Sequence, residues 1–417
     1  MTPNSAHEQV LPSRSYAWLV FALSFLLLLS DYMSRQVLNA VFPLIKAEWY
    51  ITDTQLGTLS GVVALTVGVL TFPLSLLADR WCRVRALTIM ATLWSVATLG
   101  CGLAQNYPQM LLARMLVGIG EAGYGSVGIA VVLAVFPPHL RATLTAAFMA
   151  GGLLGSLFGM AIGGAVAVHL GWRWAFAVMA MFGLALASVY PLIVRDHGPA
   201  KAAETARLPW RQAFKSRTVI AVYAGSGLQL FIAGSLMAWI PTFLNRYYGL
   251  AADKAGAGAA GLVLSGSLGM VLCGMASDRL SRGSRPRKLG LAIFYCLIAS
   301  VALLAAFQLP PGAAQIALVA TGMFFAAGTT GPAGAAVANL TPLAIHGTAF
   351  ATLTLANNLL GLAPGPVVTG VLADRFGLQS ALQFMPLIGL AAAFAFWIGL
   401  RKYEADLCLA TAAPVVK

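Results

Sequence analysis

The stretch SLLADRWCRVR, residues 75–85, has a counterpart in GMASDRLSRGSR at residues 274–285. In both stretches an apolar run ends in Asp-Arg and is followed by further arginines, and Asp79 and Asp278 stand 199 positions apart. A repeat at such a distance indicates that the first and second parts of the chain share one architecture.

A second pair of related segments supports this duplication. GGAVAVHLGWRWAF at residues 163–176 and TGVLADRFGLQSAL at residues 369–382 share four Gly and Ala positions at an offset of 206. The longest polar interruption, residues 195–217, falls between the two halves. The expected domains are a disordered cytoplasmic N-terminus, a six-helix bundle, a cytoplasmic linker, a second six-helix bundle and a cytoplasmic tail, at residues 1–15, 16–194, 195–217, 218–400 and 401–417.

The composition of the chain requires a membrane. Hydrophobic residues make up 59% of the 417 residues and charged residues only 9%, against roughly 25% charged in an average soluble domain. Twelve apolar runs can each cross about 30 Å of hydrocarbon as a helix, at residues 16–42, 54–78, 84–104, 109–135, 143–168, 172–194, 218–244, 255–277, 288–308, 313–339, 347–373 and 378–400. The sequence predicts an all-α polytopic membrane protein with twelve transmembrane helices in two pseudo-symmetric six-helix bundles.

The net charge of +13 follows the predicted topology. Nineteen of the 26 Lys and Arg residues lie in the termini and in loops after even-numbered spans, five lie in the other loops, and Arg35 and Arg114 lie within spans. By the positive-inside rule, both termini and the linker are cytoplasmic. This distribution argues against a nucleic-acid partner, and the short termini favour a bacterial inner membrane.

The loop at residues 75–85 closely resembles G-x-L-A-D-R-x-G-R-K, a signature of the major facilitator superfamily between its second and third helices. Leu77, Asp79, Arg80 and Arg83 match the signature, and three other positions depart from it. The resemblance covers the whole chain and implies the major facilitator fold with a gating role for this loop. The expected gating residues are Asp79, Arg80, Arg83, Asp278 and Arg279; the alternative is that the loop only marks topology.

Four full charges lie deep within the predicted spans: Asp31 and Arg35 on the first, and Arg114 and Glu121 on the fourth. An ionisable group at membrane depth is costly unless it faces a partner or a wet cavity. Spacings of four and seven residues place each pair on one helix face, so both faces are expected to converge on a cavity of the first half. Either the four charges form a static network, or the carboxyls bind protons while Arg114 contacts an anionic substrate.

The fourth span resembles that of spinster-like transporters, whose pattern R-x-x-x-G-I-G-E-A matches residues 114–122. It is similar, less closely, to that of anion:cation symporters for sugar acids. The resemblance implies that Asp31 and Glu121 take part in protonation and that Arg114 contacts the anion. One departure is that spinster-like proteins carry Asp directly before the first-helix Arg, where this chain has Ser34 and places its acid one turn earlier.

Weaker candidates for the cavity wall are polar side chains within other parts of the spans. With Arg35 and Arg114, the expected substrate-binding residues are Tyr32, Tyr124, Gln229, Asn357 and Asn358. The spans of the second half carry no full charge, so the cavity is expected to have one charged wall and one neutral wall. Such a cavity suits an organic anion or an anionic amphiphile, and the sequence predicts a proton-coupled secondary transporter that works by alternating access.

Two alternatives stay open. Within transport, the chain can instead export or flip lysolipid- or sphingoid-type lipids, as the spinster-like resemblance implies, rather than carry a sugar acid or similar carboxylate. Outside transport, a membrane-embedded transferase would need a nucleophile with a base or a metal cluster, and the five cysteines and five histidines form no such constellation. We therefore expect no enzyme activity, catalytic residue, metal or cofactor; the expected partners are the substrate, protons and the lipid bilayer, and the chain is expected to be a monomer.

Overall fold

The computed structural model describes residues 13–80, 82–137, 140–195, 214, 216–282, 284, 286–342 and 345–412. Within these residues twelve helical segments are long and apolar enough to cross a membrane, and no strand occurs. The prediction of an all-α architecture with twelve spans is therefore confirmed. The predicted N-terminal segment up to residue 12, most of the predicted linker and the last five residues lie outside the described part of the chain.

The first six spans are formed by seven α-helices in the described residues, because the fourth span is interrupted. The helices are Arg14–Trp49, Asp53–Arg80 and Arg83–Leu103, then Tyr107–Glu121 and Tyr124–Ala134 of the fourth span, and finally Arg141–Leu170 and Trp172–Ile193. Short connections between consecutive helices make neighbouring spans antiparallel.

The last six spans comprise nine α-helices and one π-helical turn in the described residues. The helices are Arg217–Tyr248, Ala252–Leu280, Arg287–Gln308, Ala313–Ala327, Thr330–Leu340, His346–Asn357, Pro364–Phe376, Leu378–Phe384 and Pro386–Ala412. The π-helical turn Asn358–Leu362 joins the two helices of the eleventh span. Pro364 follows this turn and has no N–H to donate to the preceding turn, which explains why regular α-helix stops there.

The last helix extends past the predicted membrane span, from residue 400 to Ala412, so that the first part of the predicted tail is helical. Asp406 accepts hydrogen bonds from Ser216 Oγ at 2.8 Å and from the backbone N–H of Thr218 at 2.7 Å. The guanidinium carbon of Arg401 lies 4.4 Å from the ring centroid of Trp397, a cation–π contact. The hydrogen bonds of Asp406 fasten this helix to the start of the seventh span, beyond the end of the apolar run.

The two faces of the bundle are distinguished by their loops. We call the face at which the sixth span ends and the seventh begins the linker face, after the predicted linker between them, and the opposite face, which holds short loops such as residues 50–52 and 249–251, the distal face. Across the two halves the fifth span packs on the eighth, the second on the eleventh, and the first on the seventh.

In the described residues the two halves share an apolar core only toward the distal face. One cluster of buried apolar side chains includes Val41 and Phe42 of the first half and Trp239 of the second, and the rings of Phe42 and Trp239 lie 5.4 Å apart. Two other clusters lie toward the linker face, and each belongs to one half, around Trp94 and around Phe396 respectively. The distal side is thus the closed side of the molecule.

Candidate functional site

Asp31, Arg35, Arg114 and Glu121 meet between the first and fourth spans, and we call these four residues the charge cluster. Asp31, Arg114 and Glu121 are 3%, 1% and 3% exposed. The side chain of Arg35 is 19% exposed, so Arg35 is the member of the charge cluster with accessible surface. The charged faces of the two spans therefore converge, and one cation of the cluster is open to a ligand.

Arg35 is shared by two carboxyl groups. Its Nε atom lies 2.6 Å from Oε2 of Glu121 and 3.6 Å from Oδ1 of Asp31, and the carboxyl groups of Asp31 and Glu121 adjoin each other. The guanidinium carbon of Arg35 also lies 5.2 Å from the centroid of the Tyr32 ring, within the range of a cation–π interaction. One guanidinium thus balances two negative charges.

Arg114 is bound to backbone carbonyls. Its Nε donates to the carbonyl of Leu59 at 3.2 Å, Nη1 to that of Ser34 at 3.1 Å, and Nη2 to that of Arg35 at 3.3 Å. Helical carbonyls have a second lone pair that can accept such bonds. Among the described residues no carboxylate forms an ion pair with Arg114, so Glu121 pairs with Arg35 of the first span and not with the arginine of its own helix.

The fourth span is interrupted directly after Glu121. Ala122 leaves the helix with a ψ of 113°, and Gly123 has a φ of +98°, a left-handed conformation that favours glycine. An irregular backbone at membrane depth is tolerated where it is buried in protein or lines a cavity. The interruption places the Glu121 carboxyl at the end of the first helical segment, next to Arg35.

Two glycines before Glu121 set the distance between the fourth span and its neighbours. A Cβ atom on Gly120 would lie 2.6 Å from the backbone nitrogen of Trp94 on the third span, and one on Gly118 would overlap Oγ1 of Thr66 on the second span. This close approach is what allows Arg114 to reach the carbonyl of Leu59. The G-I-G-E sequence is therefore a packing motif as well as the source of the carboxyl.

The two candidate tyrosines have different surroundings. Tyr32 borders the charge cluster through Arg35. Tyr124 is fully buried; its hydroxyl donates to the carbonyl of Ser24 at 2.8 Å, and its ring meets Trp94 edge-on at 5.1 Å. The hydroxyl of Tyr124 is thus committed to the backbone of the first span, whereas Tyr32 is the tyrosine beside the charges.

The candidate amides of the second half have buried polar atoms that are unused; Gln229 and Asn358 are buried residues, and Asn357 is partly buried. Gln229 is 1% exposed, and in the described residues neither polar atom of its amide has a hydrogen-bond partner. Asn358 donates to the carbonyl of Thr354 at 2.9 Å, while its Oδ1 and that of Asn357 accept no hydrogen bond from the described residues. The π-helical turn packs on the seventh span where Gly361 approaches the carbonyl of Gly227, close in sequence to both amides.

The predicted gating residues are only partly described. The side chains of Asp79 and Arg80 lie outside the described part of the structure. Arg83 is the first residue of the third span and is partly buried. Asp278 forms an ion pair of 2.6 Å with Lys288 at the start of the ninth span, and Arg279 is exposed in the same turn. The ion pair of Asp278 thus joins two spans of the second half, and the gating roles stay predictions.

Sequence reasoning missed a polar network that closes the distal face. Asp53, which is 2% exposed, accepts hydrogen bonds from Lys46 Nζ at 2.6 Å and from Arg246 Nη1 and Nη2 at 2.8 and 2.6 Å. Arg246 belongs to the second half, so this network spans both halves. The available signal was the presence of Lys46 and Arg246 at span ends where the positive-inside rule disfavours cations.

A second set of polar side chains was also missed, between the charge cluster and the distal face. Asn39 donates to Oε1 of Gln36 at 2.7 Å and to the carbonyl of Met237 at 3.4 Å, and it accepts from Ser60 Oγ at 3.1 Å. Asn39 follows Arg35 by four residues, about one helical turn, which was the available signal. These contacts join the first, second and seventh spans on the distal side of the charge cluster.

Comparisons with known proteins agree with this architecture. Residues 24–363 match the profile of the Major Facilitator Superfamily. The "MFS-type efflux pump" of Mycolicibacterium smegmatis is 27% identical over 409 residues, 94% of this chain and 94% of that protein. The "D-galactonate transporter" of Escherichia coli O6:H1 is 25% identical over 413 residues, 91% of this chain and 94% of that protein.

Among solved structures, a bacterial homolog to the human lysosomal transporter Spinster, in an inward-facing and occupied conformation, has a similar fold. The TM-score is 0.86 at 20% identity, and the match covers 95% of this chain and 99% of that chain. The resemblance to spinster-like and sugar-acid transporters that the fourth span indicated is thus confirmed. Because the family profile covers most of its length, this chain belongs to the major facilitator superfamily and is a secondary transporter, not an enzyme.

Proposed function

We propose that this chain carries an organic anion across the membrane together with protons, by alternating access to a site beside the charge cluster. The observation that supports the proposal best is the shared use of Arg35 by Asp31 and Glu121. An anion that binds Arg35 competes with both carboxylates for the partly accessible guanidinium of the cluster.

This competition couples the substrate to protons. A buried carboxylate that loses its counter-charge is costly and takes up a proton instead. Glu121, which is buried and lies 2.6 Å from Arg35, gains a proton when the anion occupies Arg35 and releases it when the anion leaves. Substrate and proton then bind together, as symport requires, and the direction of transport follows the gradients.

Asp31 and Arg114 have supporting roles in the proposal. Asp31 is a second proton site, because it lies 3.6 Å from the same guanidinium and loses the same counter-charge. Arg114 adds positive charge beside the anion while its hydrogen bonds hold the first and second spans. This assignment moves the main anion contact from Arg114, which the family resemblance favoured, to Arg35.

The neutral wall of the site supplies hydrogen bonds to the rest of the substrate. Gln229, Asn357 and Asn358 have buried amide atoms that no described residue uses, and hydroxyl groups of a polyhydroxy acid are suitable partners for them. Tyr32 contacts Arg35 and offers an apolar surface. A site with one cationic and protonatable wall and one amide wall therefore favours a small hydroxy acid.

The alternative substrate is an anionic amphiphile of the lysolipid or sphingoid type. One relative is named for efflux and another for D-galactonate, and the structural neighbour is a spinster homolog. Both substrate classes present an acid to Arg35 and differ in the long apolar chain. A direct comparison of the two classes therefore tests the choice.

We also propose that the linker face is cytoplasmic, in a bacterial inner membrane, because it holds most of the Lys and Arg residues. In this orientation the closed distal face is periplasmic, and the site beside the charge cluster is reached from the cytoplasm. Asp79, Arg80 and Arg83 then act at the gate on the cytoplasmic side, and the transporter functions as a monomer.

The experiment uses the purified chain in proteoliposomes that enclose a pH-sensitive dye. Inward gradients of sugar acids, of simple carboxylates and of anionic lysolipids are imposed in turn. We expect sugar acids to acidify the lumen, and we expect Glu121→Gln to bind the same acid, measured as thermal stabilisation, without moving protons. Arg35→Ala is expected to lose the stabilisation as well.

The matched control is Glu48→Gln, the same chemical change at a carboxyl on the distal face whose side chain is 42% exposed. This variant should transport the acid and its proton at the wild-type rate. Acidification that persists in Glu121→Gln contradicts proton coupling at Glu121, and stabilisation by lysolipids alone identifies the amphiphile as the substrate.

A further inference from the structure

A groove of about 440 Å³ lies on the outer surface of the first half, between the third and sixth spans at the linker face. Arg85 and Arg195 line it together with apolar side chains that include Ile89 and Pro191. None of its lining residues belongs to the charge cluster. The groove is therefore separate from the proposed transport site.

The two arginines give the groove a strong positive charge. Both are exposed, and in the described part of the chain neither forms an ion pair with a carboxylate. Two guanidinium groups at one groove offer several N–H donors in the planar arrangement that matches phosphate oxygens. Their chemistry favours a phosphate group as the ligand.

The end of the third span adds to this preference. The helix begins at Arg83, and its N-cap residue, Cys82, makes no side-chain hydrogen bond to the first N–H groups. Cys82 also lines the groove, so the positive end of the helix dipole lies beside the two arginines. Arg195 follows the end of the sixth span, where a cation offsets the negative end of that helix.

The other part of the groove is apolar and faces the hydrocarbon. Ile89 is 47% exposed and Pro191 is exposed, while Val84 and Val194 form the buried floor. Ile89 and Pro191 belong to predicted spans, whereas Arg195 stands just beyond one. The groove thus joins a cationic end at the membrane surface to an apolar wall inside the bilayer, which is the layout of a phospholipid.

We infer that this groove binds the phosphate group of an anionic phospholipid from the leaflet at the linker face. Arg85 and Arg195 hold the phosphate, and Ile89 and Pro191 contact the acyl chains. The site is independent of the transported substrate, since it lies on the outer surface of one half.

The test is native mass spectrometry of the delipidated protein titrated with phosphatidylglycerol, with phosphatidylcholine and with inorganic phosphate. We expect phosphatidylglycerol to bind, and Arg85→Gln with Arg195→Gln to weaken it about tenfold or more. The matched control, Arg282→Gln with Arg287→Gln, removes two exposed arginines from the linker face of the other half and should retain the lipid. Equal binding of both lipids, equal binding by both double variants, or binding of phosphate as strong as that of the lipid overturns the inference.

A second measurement does not depend on the folding of a variant. Photoactivatable phosphatidylglycerol, with the reactive group near the headgroup, is cross-linked to the wild-type protein in vesicles and the labelled peptides are identified. Labels concentrated at residues 82–89 and 191–195 support the site. Labels spread evenly over the lipid-facing helices of the linker-face leaflet contradict it.

Discussion

Asp374 of the eleventh span caps the helix that begins at Asp53. Its carboxylate accepts hydrogen bonds from the backbone N–H groups of Asp53 and Thr54, both at 2.8 Å, and from the Thr54 hydroxyl at 2.6 Å. A carboxylate at a helix N-terminus satisfies free N–H groups and complements the helix dipole. Because the two residues belong to different halves of the transporter, this cap links the halves at the closed distal face.

We expect Asp374→Ala to shift the population toward opening at the distal face. Loss of an N-cap destabilises a structure by about 0.5–2 kcal/mol. Because this contact joins the two halves, its loss destabilises only the state in which the distal face is closed. Spin labels at Thr52→Cys and Lys254→Cys, both at exposed distal positions, report the distance between the halves. The exposed Cys82 and Cys408 are first changed to Ser.

The control for this prediction is Glu48→Ala. Glu48 also lies at the distal face but pairs with Arg173 of its own half at 2.7 Å, so its loss should leave the distribution of distal distances unchanged. A longer distance that appears in Glu48→Ala as well, or in neither variant, contradicts the role given to Asp374.

Asp53 provides the second link across the distal face. Its carboxylate faces Lys46 and Arg246, whose side chains are 35% and 28% exposed. We expect Asp53→Asn to lower the free energy of unfolding by about 1–3 kcal/mol, because Lys46 and Arg246 then face each other without the counter-charge of Asp53. The measurement is the melting temperature in detergent. Adding Arg246→Gln should restore part of the stability; a further loss in the double variant would mean that Arg246 is held by other groups.

Hydropathy was sufficient to predict the number and order of the spans, and it failed where side-chain contacts decide the structure. The interruption at Gly123 depends on a left-handed glycine, and glycines are too frequent in these spans, 43 in the whole chain, for one to be singled out. The helical continuation to Ala412 depends on the contact of Asp406 with Thr218, which no local pattern contains.

The residues of the charge cluster and the pair of Asp31 with Arg35 could be predicted, but the partners of Arg114 and Glu121 could not. Helical spacing places Asp31 with Arg35 and Arg114 with Glu121 on common faces. The actual partners depend on how close the spans approach, and Gly120 and Gly118 decide that distance. Arg114 consequently reaches the carbonyls of neighbouring spans, and Glu121 is left to pair with Arg35.

The two arginines of the charge cluster are expected to respond differently to Lys. Arg114→Lys keeps the charge but cannot reach the carbonyls of Leu59, Ser34 and Arg35 together, because Lys has one nitrogen. We expect this variant to lose about 1.5–3 kcal/mol of stability, the usual contribution of hydrogen bonds made by a charged group, whereas Arg35→Lys keeps its melting temperature and loses affinity for the anion. Melting temperatures and transport KM values check this prediction. If Arg114→Lys raised the KM at an unchanged melting temperature, and Arg35→Lys lowered the melting temperature at an unchanged KM, the anion contact would belong to Arg114.

The final prediction concerns the close contact between the third and fourth spans. Gly120→Ala places a Cβ atom 2.6 Å from the backbone nitrogen of Trp94 and 3.0 Å from its Cα, and a backbone cannot move aside as a flexible side chain does. We expect the free energy of unfolding to fall by about 1–3 kcal/mol, as is typical of overpacking. Transport should also weaken, because Glu121 directly follows Gly120.

Gly125→Ala is the matched control, because no atom lies within 4 Å of its Cβ position. This variant should be neutral or slightly stabilising, as Ala favours helix. Thermal unfolding and transport assays on both variants check this prediction, and equal losses in the two would show that helix flexibility, and not the contact with Trp94, is what the glycines provide.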